Sequence, residues 1–243
     1  MIRDAIEKII ELSGPHIVSN QTKTLMYSDK KLYPVDQNRT AQPIHTTTLT
    51  SIVDYVRDYA EKDGYSKGNL MLHIVDHGTV RLIDCMNSDS ERECLIEARA
   101  KTPQFEFDRF TVAESFTIAV QALVKKDAQS DREIVLKFAG TTKSGTVTQY
   151  KDDGITQKAT IKQGVASMAE AVVPSPCRLR PYRTFLEIEQ PMSEFIFRMR
   201  EGVNGVECAL FSADGGAWKI DAMNSIRSFF EDALAGTGVT IIM

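Results

Sequence analysis

Residues 70–85 constrain the fold of this chain most. Two apolar arms, 70–76 and 79–85, flank His77-Gly78, and a short turn pair containing glycine between two such runs reads as a β-hairpin. The first arm alternates, with Leu70, Leu72 and Ile74 against Met71, His73 and Val75. Both of its faces are largely apolar, so the pattern predicts a strand pair with burial on both sides. Such a hairpin needs strands beside it and helices over it, and the rest of the sequence offers both.

Helical periodicity occurs at residues 2–13, where Ile2, Ile6, Ile9 and Ile10 share a face and Ser13-Gly14-Pro15 stops the run. It recurs at 48–60, with Thr48 placed to cap, and after Thr111-x-x-Glu114, which has the spacing of a capping box. A last helix is expected at 221–234. Residues 130–138 fit a helix or a strand. Strands are expected at 16–19, 24–27, 32–35, 94–100, 146–150, 155–162, 177–185, 193–201 and 206–212, with an edge strand at 239–243. Residues 36–45 and 86–91 read as loops. Helices and strands do not alternate regularly, so the class expected is α+β: a mostly antiparallel sheet, four to five helices, and a β-rich C-terminal half closed by a helix. The division expected is an N-terminal α+β region, 1–100, and a C-terminal β-rich region, 101–243, which together also fit one continuous domain.

With 243 residues, 42% apolar and 26% charged, the chain is long enough to bury a real core and lies close to the globular average. Cys85, Cys94, Cys177 and Cys208 form no Cys-x-x-Cys pair, and the N-terminus reads as an amphipathic helix, not a signal sequence. The expectation is four reduced thiols in a cytosolic protein. No apolar run approaches the roughly 20 residues that span a bilayer, so no membrane partner is expected.

Chemistry-bearing motifs are few. The sequence holds no Walker loop, no dinucleotide-binding glycine pattern, no nucleophile elbow and no His-Glu-x-x-His. No cofactor and no catalytic residue are therefore expected. His73 and His77, with Asp76 and Asp84 nearby, form the nearest approach to a metal set, but His77 also suits the turn. Asp152-Asp153 and Glu187/Glu189 are carboxylate pairs. The first fits a hairpin turn, and the second fits an exposed strand face as well as an acid–base pair.

The basic residues are distributed unevenly. Net charge is −4, yet residues 137–183 carry eight Lys or Arg against three acids, which leaves −9 for the rest. Alternation puts Arg178 and Arg180 on one face of their strand, with Tyr182 and Arg183 just beyond. The same alternation separates Arg198 and Arg200 from Phe195, Phe197 and Met199. Were these strands to pair, the guanidiniums would gather on one sheet face suited to phosphates, with Tyr182 able to stack on a base. The alternative is a solvated face on which these arginines pair with Glu187, Glu189, Glu194 or Glu207. The last helix, with Met223, Phe229 and Phe230, is apolar over an arc wide enough to pack against a second chain.

Two stretches carry a resemblance. They are His45-Thr-Thr-Thr-Leu-Thr-Ser-Ile-Val-Asp-Tyr-Val, and Phe195-Ile-Phe-Arg followed by a hairpin and Trp218-Lys-Ile-Asp-Ala-Met. In their order they resemble the YfdQ-like family of phage and prophage proteins. The resemblance implies a phage-borne gene acting inside a bacterial cell, and it implies no catalytic residue. The function expected is a non-enzymatic, homo-oligomeric binder that sequesters a small nucleotide of the anti-defence kind through Arg178, Arg180, Tyr182, Arg183, Arg198 and Arg200. The alternatives are a single-stranded nucleic-acid-binding helper, a metal-dependent phosphodiesterase, and a protein whose partner is a host protein.

Overall fold

A computed structural model gives the fold. It describes residues 2–14, 17–19, 26–28, 42–87, 90–142, 147–152, 157–163, 167–172 and 175–243. The chain divides into two units, Met1–Thr40 and Ala41–Met243. The strand expected at 32–35 lies outside the described residues.

The first unit holds helix α1 (Ile2–Leu12) and a two-stranded antiparallel ribbon of β1 (Ile17–Ser19) and β2 (Met26–Ser28). Ile2, Ile6, Ile9 and Ile10 lie along α1 as expected, and all four are exposed.

The second unit begins with β3 (Ile44–Thr46) and helix α2 (Thr50–Asp54), which runs directly into a π-helical turn, Tyr55–Tyr59. Strands β4 (Met71–Asp76), β5 (Thr79–Met86) and β6 (Arg92–Arg99) follow as an antiparallel meander. Next come β7 (Thr111–Val112), α3 (Ala113–Leu123) and α4 (Arg132–Thr142), so the stretch that fitted a helix or a strand is helical from Arg132 on. Then come β8 (Val147–Asp152), β9 (Gln157–Gln163) and β10 (Ser167–Val172), which form their own three-stranded antiparallel sheet. The chain finishes with β11 (Cys177–Leu179), β12 (Ser193–Gly202), β13 (Gly205–Ser212), α5 (Trp218–Ala233) and β14 (Thr240–Ile242). The protein is α+β, with five α-helices and mostly antiparallel sheets among the described residues.

The five-stranded sheet runs β14-β4-β5-β6-β3, and its two outer strands are its parallel members. The four-stranded sheet runs β11-β12-β13-β7. Each sheet packs one face against helices. Leu72, Ile74, Val80, Leu82, Ile96 and Ala98 cluster with Ile52, Val53 and Val56 of the α2 region and with Ile226 and Phe230 of α5. Phe195, Phe197, Met199, Cys208 and Leu210 cluster with Phe116 and Val120 of α3 and with Val135 and Ala139 of α4. Met223 and Phe229 pack against the first of these cores, so the apolar arc of α5 is largely spent within the chain. Cys177 and Cys208 are fully buried, and burial pushes both thiols up to about 12.

Three local expectations are corrected. Thr111 opens no capping box: it is paired opposite Cys208 in β7, and α3 starts after Val112 without a side-chain cap. Residues 44–45, read as loop, belong to the parallel strand β3. The extended run expected at 177–185 stops at Leu179. Beyond it residues 180–182 turn to bridge the backbone of 123–125 around Pro181, which lacks a ladder donor, and from Arg183 a side chain takes over the backbone partners up to the irregular approach to β12.

That irregular segment joins the two cores. Leu179 is buried in the second core and Phe185 in the first. Gln190, 2% exposed, is its centre: its Oε1 accepts from the Arg183 and Thr184 amides (3.0 and 3.4 Å), and its Nε2 donates to the Phe185 carbonyl (2.9 Å). The Thr184 hydroxyl donates to the His77 carbonyl in the β4–β5 turn. Glu187 caps α2 from across the fold, where Thr48 was expected to do so. Its carboxylate accepts the Leu49 amide (2.6 Å), the Thr50 amide (2.8 Å) and the Thr50 hydroxyl (2.5 Å). An anion there complements both the unpaired donors and the dipole of the helix start. Glu187→Ala should therefore cost about 1–2 kcal/mol of stability, the usual loss for a cap. A urea titration checks this: the midpoint should fall at unchanged slope, and an unmoved midpoint would show that water caps the helix equally well.

Candidate anion site

The face of the five-stranded sheet away from the first core carries a cross-strand row of charge. Strand register places His73 opposite Arg81, Arg81 opposite Glu97, and Glu97 opposite His45. The alternation that sends Leu72, Leu82, Ile96 and Ala98 into the core sends these four side chains to the other face. Glu97 is the exception to the ordinary rule for acids, being only 6% exposed.

Its burial is compensated by two guanidiniums. Arg81 Nε lies 2.6 Å from Glu97 Oε2, and Arg99 Nε lies 2.5 Å from Glu97 Oε1. His45 Nδ1 stands 4.0 Å from the same Oε1. Burial by itself would raise the carboxyl, but the hydrogen bonds and charges of Arg81 and Arg99 overcome it and hold Glu97 below the usual glutamate range. The arginine side chains remain 41% and 68% exposed, and His45 remains 71% exposed. One buried carboxylate thus orders two solvent-reaching cations, with an imidazole on either side. Arg81, Arg99 and Glu97 together carry an excess of one positive charge.

The arginines singled out in the sequence are placed differently. β11 and β12 do pair, with Arg178 opposite Glu194, so Arg178 shares a sheet face with Glu194, Arg198 and Arg200. Arg178 is exposed. Arg200 pairs with Glu207 (2.8 Å) and lies over the Phe110 ring (4.1 Å). Arg180 lies beyond the end of β11, 17% exposed, between Asp127 (2.5 Å) and Glu189 (3.1 Å). Tyr182 is half-buried, and its amide donates to the Leu123 carbonyl (2.9 Å). Arg183 is drawn inward. Its guanidinium lies 4.0 Å from the Trp218 ring centroid, bonds the Ser193 hydroxyl, and is pushed down to about 10 by burial. The structure therefore groups Arg178, Arg198 and Arg200 on one face and spends Arg180 and Arg183 on internal contacts.

The other candidates are separated as well. His73 stands in the row described above, whereas His77 sits in the β4–β5 turn against Trp218, with ring centroids 4.6 Å apart. Asp84 accepts the Cys85 amide (2.8 Å). Among the described residues no group of three His, Cys, Asp or Glu could hold a metal ion, and no helix is long and apolar enough to cross a membrane. Glu187 and Glu189 are committed to the cap of α2 and to Lys125 and Arg180. Asp153 lies outside the described residues. No protein-family model, curated protein or solved structure matches this chain.

Sequence reasoning passed over Arg81, Glu97 and Arg99. The available signal was Glu97 itself, an acid inside the run Leu95-Ile96-Glu97-Ala98: a charge embedded in a strand that reads as buried requires partners. The pKa shift gives a test of sign. Because Glu97 is held low in the folded state, its stabilisation is fully present above the unfolded glutamate pKa and is lost as pH falls through the lower folded value. Melting temperature against pH should show this acid-side loss in the native chain, and Glu97→Gln should flatten that part of the profile. Identical profiles would mean that the ion pairs contribute nothing.

Proposed function

We propose that this chain is a non-enzymatic binding protein for a phosphate-bearing ligand of the nucleotide type, held on the open face of the five-stranded sheet by Arg81 and Arg99. The observation that carries this reading is how the two guanidiniums are anchored. Each meets Glu97 through its Nε, and a guanidinium has five N–H donors in a fixed fork. The terminal nitrogens belong to side chains that stay open to solvent, on a scaffold already ordered by a buried carboxylate. Charge-assisted forks of this kind match phosphate oxygens, and ordering them in advance lowers the entropy cost of binding. The phage or prophage context implied by the family resemblance would make the ligand a host nucleotide signal, sequestered and not turned over.

A second reading rests on the outer face of the four-stranded sheet. There Arg178, Arg198 and Arg200 share one side and Phe110 offers a ring beside Arg200. Glu194 and Glu207 share that side, so the strip keeps an excess of one positive charge, and a basic strip with an adjacent aromatic suits single-stranded nucleic acid.

Isothermal titration with nucleoside mono-, di- and cyclic phosphates and with a short single-stranded oligonucleotide separates the two. Arg81→Ala and Arg99→Ala should each weaken nucleotide binding at least about tenfold, the scale of one lost charge-assisted contact. Arg178→Ala with Arg200→Ala should leave it unchanged. The reverse pattern, with affinity for the oligonucleotide falling steeply with salt, would favour the second reading. Absence of binding to every probe would overturn both.

A further inference from the structure

A different part of the second unit carries an independent site. Between the edge strand β3 and the helix that follows it lies an open cleft of about 380 Å³. Its floor is apolar, from Ile44 and Ile96, and its walls bring two tyrosines, Tyr55 and Tyr59, together with two carboxylates, Asp54 and Asp63. The π-helical turn builds this wall. The Ala60 amide reaches back five residues to the Tyr55 carbonyl (2.9 Å), and the widened turn spans Tyr55–Tyr59, so its two terminal tyrosines both line the cleft. π-Helical turns are costly for a helix and occur often at functional sites. The Tyr55 hydroxyl donates to Asp63 Oδ2 (2.9 Å), which fixes ring and carboxylate together.

The chemistry of the lining selects the occupant. Two carboxylates disfavour an anion. Among the described residues no group of three His, Cys, Asp or Glu could hold a metal ion, so Asp54 and Asp63 offer too few ligands for one. Aromatic faces, an apolar floor and negative charge together fit a cation on an apolar stem. The chain itself supplies a stand-in: the Lys62 ammonium already sits 4.8 Å from the centre of the Tyr59 ring, so this ring face attracts an alkylammonium within the protein. Tyr59 is 55% exposed, so its face is also open to a ligand from solution.

We propose that this cleft binds a primary alkylammonium group, held by the Tyr55 and Tyr59 rings and by Asp54 and Asp63, with its methylene stem on Ile44 and Ile96. Lys62 then acts as an internal competitor for the Tyr59 ring.

The test is calorimetric titration of the full chain with 1,5-diaminopentane and with its neutral isostere 1,5-pentanediol. The proposal expects the diamine to bind and the diol not to bind. Asp54→Asn and Tyr59→Leu should weaken the diamine several-fold, Tyr59→Phe should retain it, and Lys62→Ala should tighten it by freeing the ring. Circular dichroism of each variant verifies that the fold is intact, and Asp54 and Lys62 are surface positions where folding is not at stake. Equal binding of diamine and diol, or no binding of either, overturns the proposal, as does diamine affinity that Asp54→Asn and Tyr59→Leu leave unmoved. Competition by a capped lysine amide would assign the group to a protein side chain. Failure of that competitor while the diamine binds would assign it to a free amine, and either result sustains the alkylammonium site.

Discussion

The buried Gln190 amide, and the segment it organises, is the constraint on which the second unit depends. Two sheets each pack one face against their own helices, and among the described residues no strand pairing joins them. The joining is done by irregular chain between β11 and β12, and buried irregular backbone survives only if its polar groups are satisfied. Gln190 meets this requirement by bonding two amides and a carbonyl of the same loop. From that fixed loop Glu187 reaches α2, Thr184 reaches the β4–β5 turn, and Arg183 stacks on Trp218 at the start of α5. Phe185 is thereby inserted into the first core while Leu179 stays in the second.

The same segment decides which charges are free to act. Arginines at its start are used as struts: Arg180 is held between Asp127 and Glu189, and Arg183 lies beneath an indole. The two carboxylates that looked like a catalytic pair are a helix cap and an ion-pair partner. In the five-stranded sheet the logic is inverted. There a single carboxylate is buried and the cations around it stay exposed, which costs desolvation that only paired guanidiniums repay. A surface built that way presents oriented positive charge.

Much of the fold was legible in the sequence because it follows from period alone. The β4–β5 hairpin, the paired strands β12 and β13, the final helix and the edge strand β14 all stand where alternation and apolar stripes place them. What the sequence hid was any feature whose partner lies far along the chain. Thr48 and Thr111 look like caps, yet one helix start takes its cap from Glu187, 137 residues away, and Thr111 is claimed by β13. Arg178 and Arg180 alternate as strand neighbours, but Pro181 ends the strand and sends the second into an ion pair. Glu97 was visible only as an acid among apolar neighbours, because its two arginines are brought to it by register and by its own strand. The pairing of β11 with β12, which the pattern left conditional, places Arg178 with Arg198 and Arg200.

If one segment couples the two cores, they must open together. Native-state hydrogen exchange reads this directly, through amides of β5 in the first core and of β12 in the second. Buried amides in one cooperative unit exchange with a common opening free energy. The account predicts the same value for Leu82 and Phe197 in the native chain, and separate values once Gln190→Ala removes the centre of the segment. Two distinct values in the unsubstituted protein, or a common value that survives Gln190→Ala, would contradict it.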